Sequence, residues 1–244
     1  MDPFRYREIT HADHHIMNPL SPGKLARVID YLRLEDGDRL IDVGCGKGSL
    51  LQAVARSHRI EAVGLELNPA FAAIARQALA EGGLAASAQI VEGPALDFQV
   101  APGSFDVAVC IGSTFALGGL EASLDWMARA VKPGGRIAIG EPFALGKWTK
   151  EVSQRWAEYD RTLPDIAAAF ETRNLAVIGL VASSTDDWDQ YEGLQWLAAT
   201  AWLRDHPDDP DAPWLAATIA ASRADYLREE RDRFGWAVFV ARKM

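Results

Sequence analysis

Short apolar runs alternate with amphipathic segments along most of the chain, and these two patterns predict strands and helices respectively. Aliphatic runs bounded by turn residues indicate buried strands, whereas apolar residues at the i, i+3, i+4 spacing indicate helices. The predicted strands are residues 40–43, 62–66, 88–91, 105–110, 136–140, 175–181 and 237–241. The predicted helices begin at or near Pro22, Ser49, Pro69, Leu120 and Pro164. Strands that alternate with helices predict an α/β fold on a largely parallel sheet.

Three segments depart from this alternation. Residues 1–20 are polar and show neither periodicity, so they predict an arm that is either solvated or folded over a site. Residues 144–163 predict irregular structure. Residues 184–233 form a long connection before the last strand, and the spacing of its apolar residues predicts helices.

Three glycines at alternate positions, Gly44, Gly46 and Gly48, follow the first predicted strand and precede a helix. A strand, a glycine turn and a helix form a nucleotide-binding βα unit, in which bare backbone can approach a ligand. Asp42 lies two residues before the first glycine. Glu66 ends the second strand, where a carboxylate can accept hydrogen bonds from both ribose hydroxyls. Nicotinamide-binding proteins use the same device, so Glu66 alone does not identify the cofactor.

Composition narrows the possible partners. The chain has 244 residues, 49% of them hydrophobic, which suffices for one large α/β domain. A net charge of −9 and the lack of any basic run argue against nucleic acid. The apolar runs are too short to span a membrane, and the N-terminus lacks the apolar core of a signal peptide. We therefore expect a cytoplasmic protein, either a monomer or a homodimer.

The cysteines and histidines predict no metal site. Two cysteines, Cys45 and Cys110, make neither a disulfide framework nor a zinc site. Three histidines, His11, His14 and His15, lie in the arm without a cysteine or a regularly spaced carboxylate beside them.

Together the Asp42–Gly48 loop, Glu66 and the turn Lys132–Gly135 resemble the motifs of class I S-adenosylmethionine methyltransferases, over residues 35–145 and 175–242. This resemblance implies a Rossmann-like sheet of seven strands in the order 3-2-1-4-5-7-6, with the last strand antiparallel and helices on both faces. It implies S-adenosylmethionine as cofactor and S-adenosylhomocysteine as product. The family often has an acidic residue near the adenine where this chain has Pro94, which leaves Asp97 or a backbone carbonyl to accept that hydrogen bond.

The resemblance also implies a domain organisation. The family usually joins its last two strands by a short hairpin, so residues 184–233 form an insertion that starts on the cofactor side. We predict one domain over residues 1–244, with an arm at 1–20, a core over 21–183 and 234–244, and a helical lid at 184–233. Long insertions are usually functional or disordered.

More narrowly, the chain resembles a bacterial group of small-molecule methyltransferases of mostly unassigned substrate. The motifs that carry this resemblance are His14–Pro19, Cys110–Thr114, Gly140–Phe143, Trp188–Glu192 and Phe234–Trp236. The group has a tryptophan after Gly140–Phe143, whereas this chain has Ala144.

The predicted site follows from the motifs. The expected cofactor-binding residues are Asp42, Gly44, Cys45, Gly46, Gly48, Glu66, Leu67, Asn68, Pro94, Ala95, Leu96, Cys110 and Ile111. The expected substrate residues are Ser113, Glu141, Trp188, Tyr191 and Trp196. Glu141 is the first candidate for a general base or acceptor anchor, ahead of His14 and Tyr191. Two other readings remain: Glu141 as a structural carboxylate held by backbone N–H groups near Asn18, and the tryptophans as core residues.

Two other functions remain open from the sequence. A nicotinamide-dependent oxidoreductase could use a Rossmann fold, although the G-x-G-x-G spacing and the Lys132–Gly135 turn disfavour it. A non-catalytic S-adenosylmethionine-binding module could use the same loop, since a fold does not fix a function.

Overall fold

A single sheet of seven strands forms the centre of the protein in the computed structural model, which describes residues 1–146 and 148–244. The strands are β1 (Arg39–Val43), β2 (Glu61–Glu66), β3 (Ala88–Glu92), β4 (Phe105–Ile111), β5 (Val131–Ala144), β6 (Leu175–Ala182) and β7 (Phe234–Lys243). Their order across the sheet is β3-β2-β1-β4-β5-β7-β6, and β7 alone runs antiparallel to its neighbours. The order predicted from the family resemblance is therefore confirmed.

Helices of the core cover both faces of the sheet, and further helices form the arm and the long connection before β7. They are α1 (Pro3–Thr10), α2 (Pro22–Leu32), α3 (Ser49–Ser57), α4 (Pro69–Glu81), α5 (Leu120–Ala130), α6 (Lys150–Arg155), α7 (Leu163–Glu171), α8 (Thr185–Asp205), α9 (Ala212–Asp225) and α10 (Arg231–Arg233). Within the described residues, no helix is both long enough and apolar enough to cross a membrane.

Strand alternation divides the core into two layers. Successive side chains of a strand point to opposite faces, so Leu40 packs into one apolar cluster and Ile41 into the other. In β4, Val109 and Ile111 join the first cluster, whereas Cys110 joins the second. The helices seal these layers with the apolar stripes that the sequence predicts.

The Lys132–Gly135 segment differs from the tight turn that was predicted. It lies within β5 as a bulge, because pairing with β4 shifts from Phe105 opposite Val131 to Val107 opposite Arg136. Gly134 adopts a positive φ of 78°. A side chain on Gly135 would meet the Asp106 carbonyl oxygen at 2.9 Å, so the close approach of backbone requires glycine.

Two segments that were predicted to be irregular contain helices. The arm holds α1, which begins at an Asp2 cap whose carboxylate accepts from the Phe4 and Arg5 amides at 2.9 and 3.1 Å. The region 144–163 holds α6 and a short 3₁₀ turn, Ala157–Tyr159.

The residues 184–233, hereafter the insertion, are helical throughout most of their length. Helices α8 and α9 lead through a π-helical turn, Tyr226–Glu230, into α10 and directly into β7. The insertion packs against α1, and Ile9 joins a small apolar cluster with Ala199, Leu215 and Ile219. Helix α1, near the N-terminus, and the insertion, which precedes the last strand, therefore stabilise each other by apolar packing.

Candidate functional site

A cavity of about 320 Å³ opens at the carboxyl edge of β1, β2 and β4. Open α/β sheets bind ligands at this edge, and the volume lies within the range of small-molecule pockets. Nine of the predicted residues line it: Asp42, Gly44, Cys45, Gly46, Glu66, Leu67, Asn68, Ile111 and Ser113. The opposite wall is the arm, and we call residues 3–18 the roof.

The floor of the cavity is the glycine loop, residues 44–48, together with Asp42 and Glu66 beside it. Gly44, Gly46 and Gly48 have φ values of 71°, 54° and 76°, in the left-handed region that favours glycine. A Cβ at Gly44 would collide with the Ser113 side chain, and one at Gly46 would lie 2.9 Å from the Met17 sulfur. The loop therefore presents bare backbone to the cavity, as a close-fitting ligand requires.

Glu66 connects the end of β2 to the glycine loop. Its carboxylate oxygens accept from the Gly46 and Asn68 amides, each at 2.8 Å. Burial raises the pKa of Glu66, and these backbone N–H groups act in the opposite direction. A carboxylate has about four acceptor positions, so about two remain for a ligand.

Asn68 carries an unused donor at the cavity wall. Its Oδ1 accepts from the Ala70 and Phe71 amides and so caps α4. Its Nδ2 is buried and has no hydrogen-bond partner among the described residues. An unpaired buried donor costs about 1–3 kcal/mol, so a ligand that offers an acceptor here would be stabilised.

Asp42 adds a second acidic group to the floor. The side chain is only 5% exposed, and burial together with neighbouring Glu66 raises the pKa of Asp42 to about 7. A cationic ligand group beside these two carboxyls would favour their ionised forms.

One face of α1 covers the cavity. Pro3, Phe4, Arg7 and His11 recur at the i, i+3, i+4 spacing and line it together. The other face, which carries Ile9, packs on the insertion. The insertion therefore supports the roof from behind.

Lys47, within the glycine loop, fastens the floor to the roof. Its ammonium donates to the carbonyl oxygens of His11, Ala12 and His14 at 2.7, 2.9 and 3.1 Å. The Ser49 hydroxyl donates to the His15 carbonyl oxygen. The end of the loop and the first residue of α3 thus hold the polar turn that follows α1.

His11, His14 and Tyr191 form a buried network that braces the roof. The Thr10 hydroxyl donates to the Tyr6 carbonyl, so His11 Nδ1 must donate to Thr10 Oγ1 at 2.9 Å. His11 Nε2 then accepts from the Tyr191 hydroxyl at 3.0 Å. His14 Nε2 donates to the Tyr191 backbone carbonyl at 2.9 Å.

These contacts correct two expectations. The arm is not solvated at His11 and His14, which are each 2% exposed. The side chains of His14 and Tyr191 join the turn after α1 to α8 and do not line the cavity, and burial raises the pKa of Tyr191. We therefore withdraw their predicted catalytic roles.

Acid is expected to loosen the roof through His11. Burial lowers the pKa of His11 to about 3 from its ordinary 6.5. The neutral ring therefore contributes stability that is complete above about pH 6.5 and is lost as the pH falls toward 3, by at most about 1.4 kcal/mol per pH unit. Urea unfolding at about pH 7, 6 and 5 should show the wild type losing stability relative to His11→Gln.

Other buried groups titrate in the opposite direction. Burial raises the pKa values of Asp42 and Glu192 to about 7, so their contributions are present at low pH and are lost as the pH rises through 7. The wild type and the His11→Gln variant both retain these carboxyls, so their effect cancels when the stabilities of the two proteins are compared. Parallel pH profiles for wild type and His11→Gln would contradict the assignment.

Glu141 lies beside the cavity, near its Ser113 end. Its carboxylate accepts from the Thr114 hydroxyl at 2.5 Å, and burial raises the pKa of Glu141. The Asn18 amide, oriented to satisfy its neighbours, donates to the Met17 and Ile111 carbonyls and not to Glu141. Among the described residues no backbone N–H donates to Glu141. The alternative of a carboxylate held by backbone N–H groups near Asn18 is therefore replaced by the Thr114 contact.

Several predicted residues lie outside the cavity wall. Strand alternation points Ile111 into the cavity and turns Cys110 into the core, where it is fully buried. Gly48 supports the loop against Ala75. The segment Pro94–Leu96 lies beyond β3, with Ala95 buried and Leu96 exposed.

The tryptophans Trp188 and Trp196 belong to the packing of the insertion. Trp188 packs against the main core, and Trp196 packs in the cluster behind α1. Both indole N–H groups are buried, with no hydrogen-bond partner among residues 1–146 and 148–244. The interpretation of these tryptophans as core residues, which the sequence left open, fits their placement.

Sequence reasoning missed several residues that line the cavity. Phe4 and Arg7 lie in a polar segment without a detectable period, and Phe115 follows the β4 motif as an exposed aromatic side chain. Lys47 lies inside the glycine motif itself. For Lys47, its position between Gly46 and Gly48 was the signal in the sequence that could have placed it at the cavity.

Comparison with known proteins extends over the whole chain. A family model described as a methyltransferase domain matches residues 40–135. The Escherichia coli (strain K12) protein YjhP is 32% identical, over 98% of both chains. A SAM-dependent methyltransferase from Geobacter sulfurreducens, solved with S-adenosyl-L-homocysteine, has a TM-score of 0.91 at 33% identity over 98% of both chains. One from Thiobacillus denitrificans, solved with the same ligand, has a TM-score of 0.90 at 32% identity over 100% of both.

Proposed function

Because the chain belongs to the S-adenosylmethionine-dependent methyltransferases, we propose that it transfers a methyl group to a small-molecule acceptor by in-line displacement. The cofactor is S-adenosylmethionine, which supplies an electrophilic methyl group on a sulfonium when bound. The family assignment replaces the nicotinamide alternative. The chain's own residues bind, orient and enclose the two reactants.

The donors and acceptors of the cavity fit this cofactor. Glu66 keeps free acceptor positions suited to two ribose hydroxyls, and Asn68 Nδ2 is an unpaired donor beside it. The glycine loop offers backbone where a Cβ could not be placed. Asp42 lies on the same floor and suits the cationic amine of the cofactor's amino acid part.

The acceptor is proposed to bind at the Ser113 end of the cavity. Ser113 follows β4 and touches the glycine loop, and Met17 and Asn18 of the roof lie across from it. Phe115 adds an aromatic side chain that is 71% exposed at the same end. This region offers a hydroxyl and apolar surface, the usual composition of a small-molecule site.

The observation that carries the proposal is the enclosure of the cavity between the glycine loop and the roof. Lys47 and Ser49 tie these two walls together, so a molecule between them contacts protein on both sides. Holding two reactants in line can lower the activation barrier of model reactions by up to about 7–11 kcal/mol. Enclosure also excludes water, which strengthens the polar contacts that hold an acceptor.

Glu141 is the proposed base or anchor for the acceptor. Its carboxylate is linked through the Thr114 hydroxyl to the segment that borders the cavity, and burial raises the pKa of Glu141, which makes the carboxylate a stronger proton acceptor than an exposed one. Such a base is required only if the accepting atom carries a weakly acidic proton.

The proposal is tested with methyl-labelled cofactor and a bacterial extract separated by size. The label should pass to the small-molecule fraction, where mass spectrometry identifies the product. Transfer only to the protein or nucleic-acid fraction would contradict the proposal, although the family assignment would stand.

A further inference from the structure

The lysine and the arginine that line the cavity differ in whether their N–H donors are available to a ligand. Two basic side chains, Lys47 and Arg7, line it together with the two acidic groups of the floor, Asp42 and Glu66. The cofactor's amino acid part carries both an ammonium and a carboxylate at neutral pH. The carboxylate needs a cationic or N–H partner, whereas the floor is acidic.

Lys47 is already fully engaged. An ammonium has three N–H donors, and those of Lys47 serve the carbonyl oxygens of His11, Ala12 and His14. Burial also lowers the pKa of Lys47. A ligand carboxylate could recruit this ammonium only by releasing the roof.

Arg7 is the available cation. Its side chain is exposed and lines the cavity, and its guanidinium makes no hydrogen bond or ion pair with any of the described residues. Arg5, two residues earlier, points away from the cavity and pairs with Asp209 and Asp211 of the insertion. The same helix therefore carries one arginine that holds the roof and one that faces the ligand space.

The charge of Arg7 also reaches the ligand-binding groups. It acts on Glu66, where it lowers the pKa of the carboxyl, and on His11, where it lowers the pKa of the ring. A guanidinium offers paired N–H donors that match the two oxygens of a carboxylate.

We propose that Arg7 binds the α-carboxylate of the cofactor's amino acid part from the roof. An acidic floor and a basic roof complement a zwitterion across the cavity. The inference concerns the cofactor alone and is independent of the acceptor.

The test is calorimetric titration with two ligands. S-adenosylhomocysteine carries the carboxylate, and its decarboxylated analogue keeps the amine and lacks only that group. Arg7→Gln should weaken S-adenosylhomocysteine binding by roughly tenfold or more, in line with hydrogen bonds to a charged group, and leave the analogue within about twofold.

Arg5→Gln is the matched control on the same helix. Loss of its pairs with Asp209 and Asp211 loosens the roof as a whole, so any weakening should be equal for the two ligands. Circular dichroism of each variant verifies folding before titration.

Two outcomes would overturn the inference. Equal weakening of both ligands by Arg7→Gln would make Arg7 a support of the roof. Unchanged affinity for S-adenosylhomocysteine would remove the contact altogether. Neither readout uses an acceptor, so failure here is distinct from failure of the proposed methyl transfer.

Discussion

Glu66→Ala should weaken S-adenosylhomocysteine binding by about 1.5–3 kcal/mol, the range for hydrogen bonds to a charged group, or roughly tenfold to 150-fold. The variant removes the proposed acceptor for the ribose hydroxyls. It also removes the acceptor for the Gly46 and Asn68 amides, so the glycine loop loses its tie to β2. Calorimetric titration measures the change directly.

The matched control is Glu92→Ala. Glu92 lies beside Glu66 in the register of β2 and β3, is exposed, and pairs with Arg76. Its loss should leave the affinity unchanged, since exposed ion pairs contribute about 0–1 kcal/mol to stability and this one lies outside the cavity. Equal affinities of wild type and Glu66→Ala would show that no ligand contacts this carboxylate.

Glu141→Gln should lower kcat for the acceptor by about 10²–10⁴-fold if Glu141 serves as a general base. Glutamine keeps the shape and can still accept from Thr114, but it cannot take a proton. The affinity for S-adenosylhomocysteine should stay within about twofold, because the Glu141 carboxylate lies beside the acceptor end. Steady-state kinetics with the acceptor found in the labelled-methyl experiment provides the measurement.

Thr114→Val separates a base from a structural carboxylate. Loss of the 2.5 Å hydrogen bond should raise the pKa of Glu141 further and shift the rising limb of the pH–rate profile toward higher pH. A near wild-type kcat in Glu141→Gln would contradict the general-base role and would leave Glu141 as a structural carboxylate near the end of β5.

The sheet and the glycine loop could be predicted because local chemistry fixes them. Gly44 and Gly46 must be glycine for the chain to turn with positive φ, so their spacing appears directly in the sequence. The cap at Asn68 and the start of α4 at Pro69 are equally local. These features place most of the cofactor-facing residues without any knowledge of tertiary contacts.

An arm folded over the site was one of two expectations, but the helix within the roof could not be predicted because long-range contacts stabilise it. Helix α1 is short and polar. Its last residue, Thr10, and the following residue, His11, are buried polar side chains, which no hydrophobic period reveals. Tyr191, which forms a hydrogen bond with His11, lies 180 residues away from it along the chain. Propensity alone cannot report a helix that tertiary packing holds in place.

The insertion shows a different limit. The spacing around Tyr191 and Trp196 predicted helix, and α8 spans both. The pattern could not show which apolar face meets the ligand and which meets another helix. The structure places α1 between α8 and the cavity. We therefore propose that the insertion acts as a lid only indirectly, by supporting the roof.

Hydrogen–deuterium exchange with and without S-adenosylhomocysteine tests the central claim most directly, namely that the ligand binds between the glycine loop and the roof. Amides of residues 3–18, 44–49 and 66–68 should become protected together when the ligand binds, because each wall of the cavity contacts it or is held by one that does. Protection of the loop with unchanged exchange in residues 3–18 would contradict this account, since the arm would then be no part of the site.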